Sequence, residues 1–308
     1  MDTRKAMDGR AVGTMVLLCL VWSLQQVGFK ATAQDISPIL LIALRSGIAA
    51  ALVGALMLAR RERLTPNTWR PGLVVGSLFA FEYLLLGAGL RHTSAAHAVV
   101  FLYTGPLFAA LGLHLKLPSE RLAPLQWLGV ALAFAGIATA FIVGAQPSNG
   151  TANANALFGD FLCLAAGAAW GATTVVIRCS TLSRASATQT LLYQLVCAFA
   201  LLLVAAAVLG QLTFHPTRLA VGNLVFQAVI VSFASFLAWF HLLRHYVASS
   251  LGIFSFMTPM FGVLLGAWLL DEQIKPGFLL GAGFVLAGIL LVSGYSRIKP
   301  ALRPAKAA

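Results

Sequence analysis

The chain has 308 residues, is 59% hydrophobic and 10% charged, and carries a formal net charge of +12. Soluble domains hold roughly 25% charged residues, so this chain cannot hide its apolar surface from water by folding alone, and lipid is its solvent over most of its length. The excess of Lys and Arg lies in short connections between apolar runs, which makes it a topology signal and excludes a nucleic-acid-binding face.

Apolar runs long enough for a helix to cross a hydrocarbon core of ~30 Å are predicted at residues 12–31, 38–59, 71–90, 94–115 and 124–144, then at 156–177, 187–209, 220–243, 248–270 and 276–295. The first follows Arg4, Lys5 and Arg10 as a signal peptide would, but similar spans follow it and no small-residue cleavage site precedes polar sequence. Residues 145–155 contain Asn, Gly and Ser and no charge, as a hinge between halves would. The expected organisation is a five-helix repeat over 1–144, a periplasmic linker over 145–155, a second repeat over 156–296 and a basic cytoplasmic tail over 297–308.

Alternate connections hold Arg4, Lys5, Arg10, Arg60, Arg61, Arg63, Arg70, Lys116, Arg121, Arg178, Arg184, Arg244, Arg297, Lys299, Arg303 and Lys306, whereas the opposite set holds only Arg91, Arg218 and Lys275. The positive-inside rule places the first set, and with it both termini, in the cytoplasm of a bacterial-type inner membrane. That requires an even number of crossings.

The halves repeat each other. HTSAAHAVVFLYTGP, from His92 to Pro106, matches HYVASSLGIFSFMTP, from His245 to Pro259, and each is followed by an acidic residue, Glu120 or Glu272, and a proline, Pro124 or Pro276. Gly129 with Gly136 corresponds to Gly281 with Gly288, and Trp22 with Lys30 corresponds to Trp170 with Arg178. An odd number of spans per half makes the second copy cross in the opposite sense. The expected fold is an all-α polytopic membrane protein of ten helices, arranged as two inverted five-helix repeats around a central cavity.

WSLQQVGFK with its echo WGATTVVIR, ALRSGIAA in the second span, and the proline and acidic loop of each half together resemble the drug/metabolite transporter superfamily, and within it the ten-helix EamA-type members, over essentially the whole chain. That family includes exporters of amino acids, aromatic ones among them. The chain departs from internal symmetry at TLLYQLVCAFA, where Gln194 stands roughly where Arg45 does in LIALRSGIAAA. A role that needs a symmetric pair of arginines is therefore not expected.

A charge at a helix centre costs about 2.5–3.5 kcal/mol on insertion scales, so each deep one needs a reason. Arg45 and Glu82 fall at similar depth on consecutive spans, roughly 10–14 Å below the outer surface at 1.5 Å per residue. They are predicted to form a charge pair. Either they only neutralise each other, or Arg45 grips a substrate carboxylate through its forked guanidinium, or Glu82 carries a proton. Asp160 reads as a capping residue in the first turn of its span. Lys30 and Arg178, at span ends, read as headgroup contacts.

The resemblance implies a cavity surrounded by spans one, three, four, six, eight and nine. Its candidate lining is Trp22, Gln25, Gln26, Phe79, Glu82, Tyr83, His97, Phe101, Tyr103, Trp170, Trp239 and Phe254, with Thr174, Phe236, His241, Ser255 and Thr258 nearby. Each aromatic alone reads equally as lipid contact or helix packing; together they suit an apolar or aromatic amino acid. Pro106 and Pro259 are predicted to kink spans four and nine, as static bends or as gating points of alternating access. The glycine-rich run with Gly281, Gly283 and Gly288 reads as close helix packing.

The four cysteines, Cys19, Cys163, Cys179 and Cys197, read as free thiols with no metal site. The chain lacks HExxH and GxSxG, so an intramembrane enzyme is disfavoured. No nucleotide-binding motif is present and no cofactor is expected. The expected function is secondary transport of a small-molecule substrate, by a monomer embedded in the bilayer, exporting or exchanging amino acids. Efflux of lipophilic cations is the alternative, and it requires an intramembrane carboxylate that faces the cavity unpaired.

Overall fold

A computed structural model describes residues 5, 7–93, 95–142, 154–270 and 277–298. Most of the expected linker, the acidic residue Glu272 with its proline Pro276, and the tail from 299 onward lie outside the described residues. The elements are α1 (Gly9–Ala31), α2 (Pro38–Ala59), α3 (Trp69–Gly89), α4 (Ala95–Leu102), α5 (Gly105–Lys116), α6 (Pro124–Ile142), α7 (Ala154–Cys179), α8 (Ala187–Val208), α9 (Arg218–Val225), a π-helical segment (Phe226–Ser235), α10 (Phe236–His245), α11 (Ala248–Phe254), α12 (Met257–Leu270) and α13 (Gly277–Ile298). Among the described residues, eight spans are long and apolar enough to cross a membrane, and 124–140 and 277–292 are shorter apolar helices. These make up the expected ten, in two five-helix repeats around a central cavity. Spans four (α4, α5), eight (α9, π segment, α10) and nine (α11, α12) are interrupted.

Local chemistry sets the span ends. Asp8 accepts the amide of Ala11 at 2.8 Å, Ser186 that of Gln189 at 3.1 Å and Thr217 that of Ala220 at 3.1 Å, each satisfying an orphan first-turn donor. Pro38 opens α2 where no amide donor is needed. Gly210 follows α8 at φ 67°, the left-handed turn that closes a helix without a Cβ clash.

The packing maps onto itself when the halves are exchanged. α1 packs on α11 and α12 as α7 packs on α4 and α5; α2 packs on the π segment as α8 packs on α3; α2 also packs on α8, and α6 on α13. In the last pair a Cβ on Gly129 would lie 2.8 Å from the carbonyl oxygen of Gly288 and one on Gly288 2.4 Å from that of Gly129; Gly136 and Gly281 meet in the same way, at 2.6 and 2.4 Å. Rising numbers on one helix thus meet falling numbers on the other.

Only glycine allows backbones so close. Gly281→Val is expected to lower stability by about 1–3 kcal/mol through overpacking. Gly283 has nothing within 4 Å of its would-be Cβ, so Gly283→Ala is the control, and equal melting temperatures in detergent for the two variants would refute the contact. Close packing in this run is thus borne out at Gly281 and Gly288 and not at Gly283.

Spans four and nine break just before Pro106 and Pro259, at residues 103–104 and 255–256. At each break a hydroxyl adds to a carbonyl that already accepts a backbone amide: Thr104 donates to Phe101 O and Ser255 to Gly252 O, both at 2.5 Å through the side chain. The neighbouring helices treat the breaks differently. On α1, Cys19 donates to Phe254 O at 3.2 Å and Ser23 to Thr258 O at 2.7 Å. On α7 the corresponding positions are Gly167 and Gly171, whose would-be Cβ atoms lie 2.8 Å from Phe101 O and Gly105 O. All four cysteines are free; Cys19 and Cys163 are buried, whereas Cys179 is exposed.

Candidate functional site

A cavity of about 540 Å³ lies between α1, α3, α4, α7 and α10. Nine of the expected lining residues meet there: Trp22, Gln25, Gln26, Phe79, Glu82, Tyr83, Tyr103, Trp170 and Trp239. Their rings pack edge to face, Trp22 on Trp239 at 5.7 Å, Tyr103 on Trp170 at 5.5 Å and Phe79 on Tyr83 at 5.0 Å between centroids. Such contacts hold large rings in fixed orientations. Trp22 is further held by donating its indole N–H to Ser235 Oγ at 3.0 Å.

Three expected residues are not in the lining. His97 turns toward α7, where its Nδ1 lies 3.2 Å from Asp160 Oδ2, and its ring meets Phe101 at 6.3 Å. Phe254 packs into the apolar core at 4% exposure. Helical periodicity allows a face to be chosen, but the break in span nine shifts that face. Asp160 is not a first-turn cap: α7 begins at Ala154, and the carboxylate accepts from Thr93 Oγ1 at 2.5 Å as well as meeting His97, tying α7 to the start of span four.

The expected charge pair is close enough for the two charges to act on each other, but it makes no salt bridge. Arg45, 0% exposed, donates to Gln227 Oε1 at 2.7 Å and to Tyr83 Oη at 2.9 Å, and its guanidinium lies 5.4 Å from the centroid of Phe29. Among the described residues no ion pair joins it to Glu82. Gln227 reaches Arg45 from the π-helical segment and donates its own amide to Gln25 O at 3.0 Å. A buried guanidinium needs neighbouring acceptors, and neutral oxygens with aromatic faces supply them here.

The Glu82 carboxylate lines the cavity within the field of Arg45, and among the described residues it makes no hydrogen bond or salt bridge. Gln25 Oε1 and Gln194 Oε1 also lack partners, and both residues line the same cavity at 9% and 5% exposure. Gln194 was marked in the sequence only as the residue that breaks symmetry with Arg45; its intramembrane amide was the signal for a lining role. Lys30, expected at the headgroups, lines the cavity too, at the end reached by exposed Leu90.

Towards the opposite end the walls are Ile177 and Phe240, and beside them lies a buried ion pair. Arg178 donates to Glu120, the two residues being 4% and 1% exposed. Glu120 also accepts the backbone amides of Ala248 and Ser249 and the hydroxyl of Ser249, each at 3.2 Å. This pair joins the connection after α5, the end of α7 and the start of α11. The headgroup role expected for Arg178 is thus corrected: the 3₁₀ turn Thr181–Arg184 folds over the helix end and keeps its guanidinium from the lipid surface.

Residues 9–142 and 157–294 each match the EamA-like transporter family. The chain is similar to the uncharacterized transporter YoaV of Bacillus subtilis (strain 168), at 24% identity over 90% of this chain and 94% of that one. It is similar also to the uncharacterized inner membrane transporter YedA of Escherichia coli (strain K12), at 24% identity over 91% and 90%. A solved crystal structure at 21% identity superposes with a TM-score of 0.80 over 94% of this chain and 99% of the other, a likeness of fold.

Proposed function

The chain belongs to the EamA-like transporter family, and from that premise we propose that it is a secondary transporter whose cavity takes small organic molecules bearing an ammonium group beside an aromatic or apolar body. The observation that carries this reading is the Glu82 carboxylate, which makes no hydrogen bond or salt bridge among the described residues, beside the unpartnered oxygens of Gln25 and Gln194 inside an aromatic box. An ammonium brings donors and charge to those acceptors, and the rings of Trp22, Trp239 and Trp170 supply apolar faces.

Amino acids, exported or exchanged, are the members of this class that use both charges of the cavity: the ammonium meets Glu82 and the carboxylate meets Lys30 at the mouth. Lipophilic cations are the second reading, favoured by the absence of an ion pair on Glu82, and for them Lys30 is repulsive. Counterflow into proteoliposomes separates the two. Labelled phenylalanine is expected to exchange through the protein while tetraphenylphosphonium is not. The reverse result selects the cation, and no saturable exchange of phenylalanine, phenethylamine or tetraphenylphosphonium refutes the ammonium site.

The antiparallel meeting of α6 and α13 at their glycines supports repeats of opposite sense, related by an axis in the membrane plane. With the arginine-rich ends in the cytoplasm, the Glu120–Arg178 pair seals the cytoplasmic side and the Lys30 end faces outward. Alternating access then bends spans four and nine at Pro106 and Pro259. Replacing both prolines with alanine restores continuous helices, and it is expected to slow turnover severalfold while substrate affinity stays within twofold. Unchanged turnover would make the breaks static.

A further inference from the structure

Arg45 is not in the lining of the central cavity, yet it touches two side chains that are. Its guanidinium is buried behind the wall, 5.4 and 5.5 Å from the ring centroids of Phe29 and Tyr83. One arm, Nη1, donates to Gln227 Oε1 at 2.7 Å, and the other, Nη2, donates to Tyr83 Oη at 2.9 Å. Gln227 is itself tethered, its amide donating to the carbonyl of Gln25 at 3.0 Å. The fork therefore cannot swing away from the tyrosine without breaking a contact between spans.

That bond fixes the direction in which Tyr83 works. A guanidinium has no acceptor atom, so Tyr83 accepts from it, and a phenol that accepts there keeps its own O–H to donate elsewhere. The Gln25 side chain also reaches this hydroxyl, but Gln25 Oε1 bonds nothing, so the contact comes from the amide nitrogen and does not use the phenol proton. Among the described residues no acceptor takes that proton, and Tyr83 and Gln25 both line the cavity. A hydrogen bond from a cation also polarises the phenol and strengthens it as a donor.

We propose that Arg45 is a positioning residue that holds Tyr83 as the hydrogen-bond donor to a carboxylate oxygen of the substrate. The inference rests on the ammonium-binding reading of the cavity and names how the second charge of an amino acid is recognised. Glu82 and Tyr83 are consecutive on α3 and both line the cavity, so an acceptor for the ammonium and a donor for the carboxylate stand on neighbouring residues. An α-amino acid carries its two charged groups on one carbon, at a matching short separation. Lys30 attracts the carboxylate as a point charge on a flexible stem, whereas Tyr83, locked by the fork behind it, gives the bond its direction. Arg45 also acts on Glu82 through its field, and that influence is felt by every ligand with an ammonium.

The test uses the full-length protein and two ligands that share a ring and an ammonium, phenylalanine and phenethylamine, the second lacking the carboxylate. The unaltered protein is expected to bind phenylalanine about tenfold more tightly, and Tyr83→Phe, which keeps the ring and loses the hydroxyl, is expected to erase most of that preference. Arg45→Gln is expected to lower the preference severalfold, and to lower it no further once Tyr83→Phe is present, because Arg45 acts on the carboxylate through Tyr83. The influence of Arg45 on Glu82, or a general loosening of the fold, weakens both ligands and cancels in the ratio. Melting temperatures in detergent check folding; if Arg45→Gln does not fold, Arg45→Lys, which keeps the charge and loses the fork, is read in the same way. A preference unchanged in Tyr83→Phe, or two losses that simply multiply in the double variant, overturns the proposal. Phenethylamine bound as tightly as phenylalanine by the unaltered protein also overturns it and leaves the ammonium site standing, whereas binding of neither ligand sinks the ammonium site and this inference with it.

Discussion

Glu120→Ala is expected to lower the stability of the purified protein by about 3–5 kcal/mol, because it leaves Arg178 as a buried charge without its carboxylate. The carboxylate also accepts two backbone amides and a hydroxyl at the start of α11, so its loss strips donors there as well. The comparison that isolates the charge is Glu120→Gln/Arg178→Met, which removes both members. That double variant is expected to recover a large part of the stability lost in Glu120→Ala, since a buried pair replaced by neutral groups is often tolerated. Measured by unfolding in detergent, a double variant no more stable than Glu120→Ala alone would show that the ion pair is not the reason for the loss.

Loss of substrate affinity by about 1.5–3 kcal/mol, the range for a hydrogen bond to a charged group, is expected for Glu82→Gln, which amounts to roughly 10- to 150-fold in Kd. The substitution keeps the shape of the side chain and removes its charge. Binding of phenylalanine is expected to weaken, while N-acetylphenylalanine, which has no ammonium, should bind neither variant better than the other. The sign with pH follows from the same contact: the carboxylate holds an ammonium only when ionised, so affinity falls as acid protonates Glu82, and Glu82→Gln should flatten that acid limb. A wild-type affinity retained in Glu82→Gln would remove the carboxylate from recognition.

The aromatic walls were legible because Trp22 and Trp170 repeat at the same register and intramembrane rings stand out against Leu and Val. The role of Arg178 was not. Its position at a span end fits a headgroup contact equally well, and only the fold of the following turn and the return of span nine bring Glu120 and Ser249 to it. The pairing of Arg45 with Glu82 failed for a related reason. Equal depth is a one-dimensional measure, whereas the direction in which Arg45 points is decided by Gln227 on a span far along the chain. The π-helical register that presents Gln227 leaves no mark in an apolar run, because an i→i+5 turn needs no special residue.

Sequence by itself determined the solvent, the number of crossings and the duplication, since each follows from composition or from a repeated spacing along the chain. Tertiary structure alone decided which polar atoms are satisfied by other helices and which are left facing the cavity. The physical reason is that a hydrogen bond between spans depends on rotation about helix axes and on breaks within them, to within an ångström, and neither quantity is written in the order of apolar and polar residues.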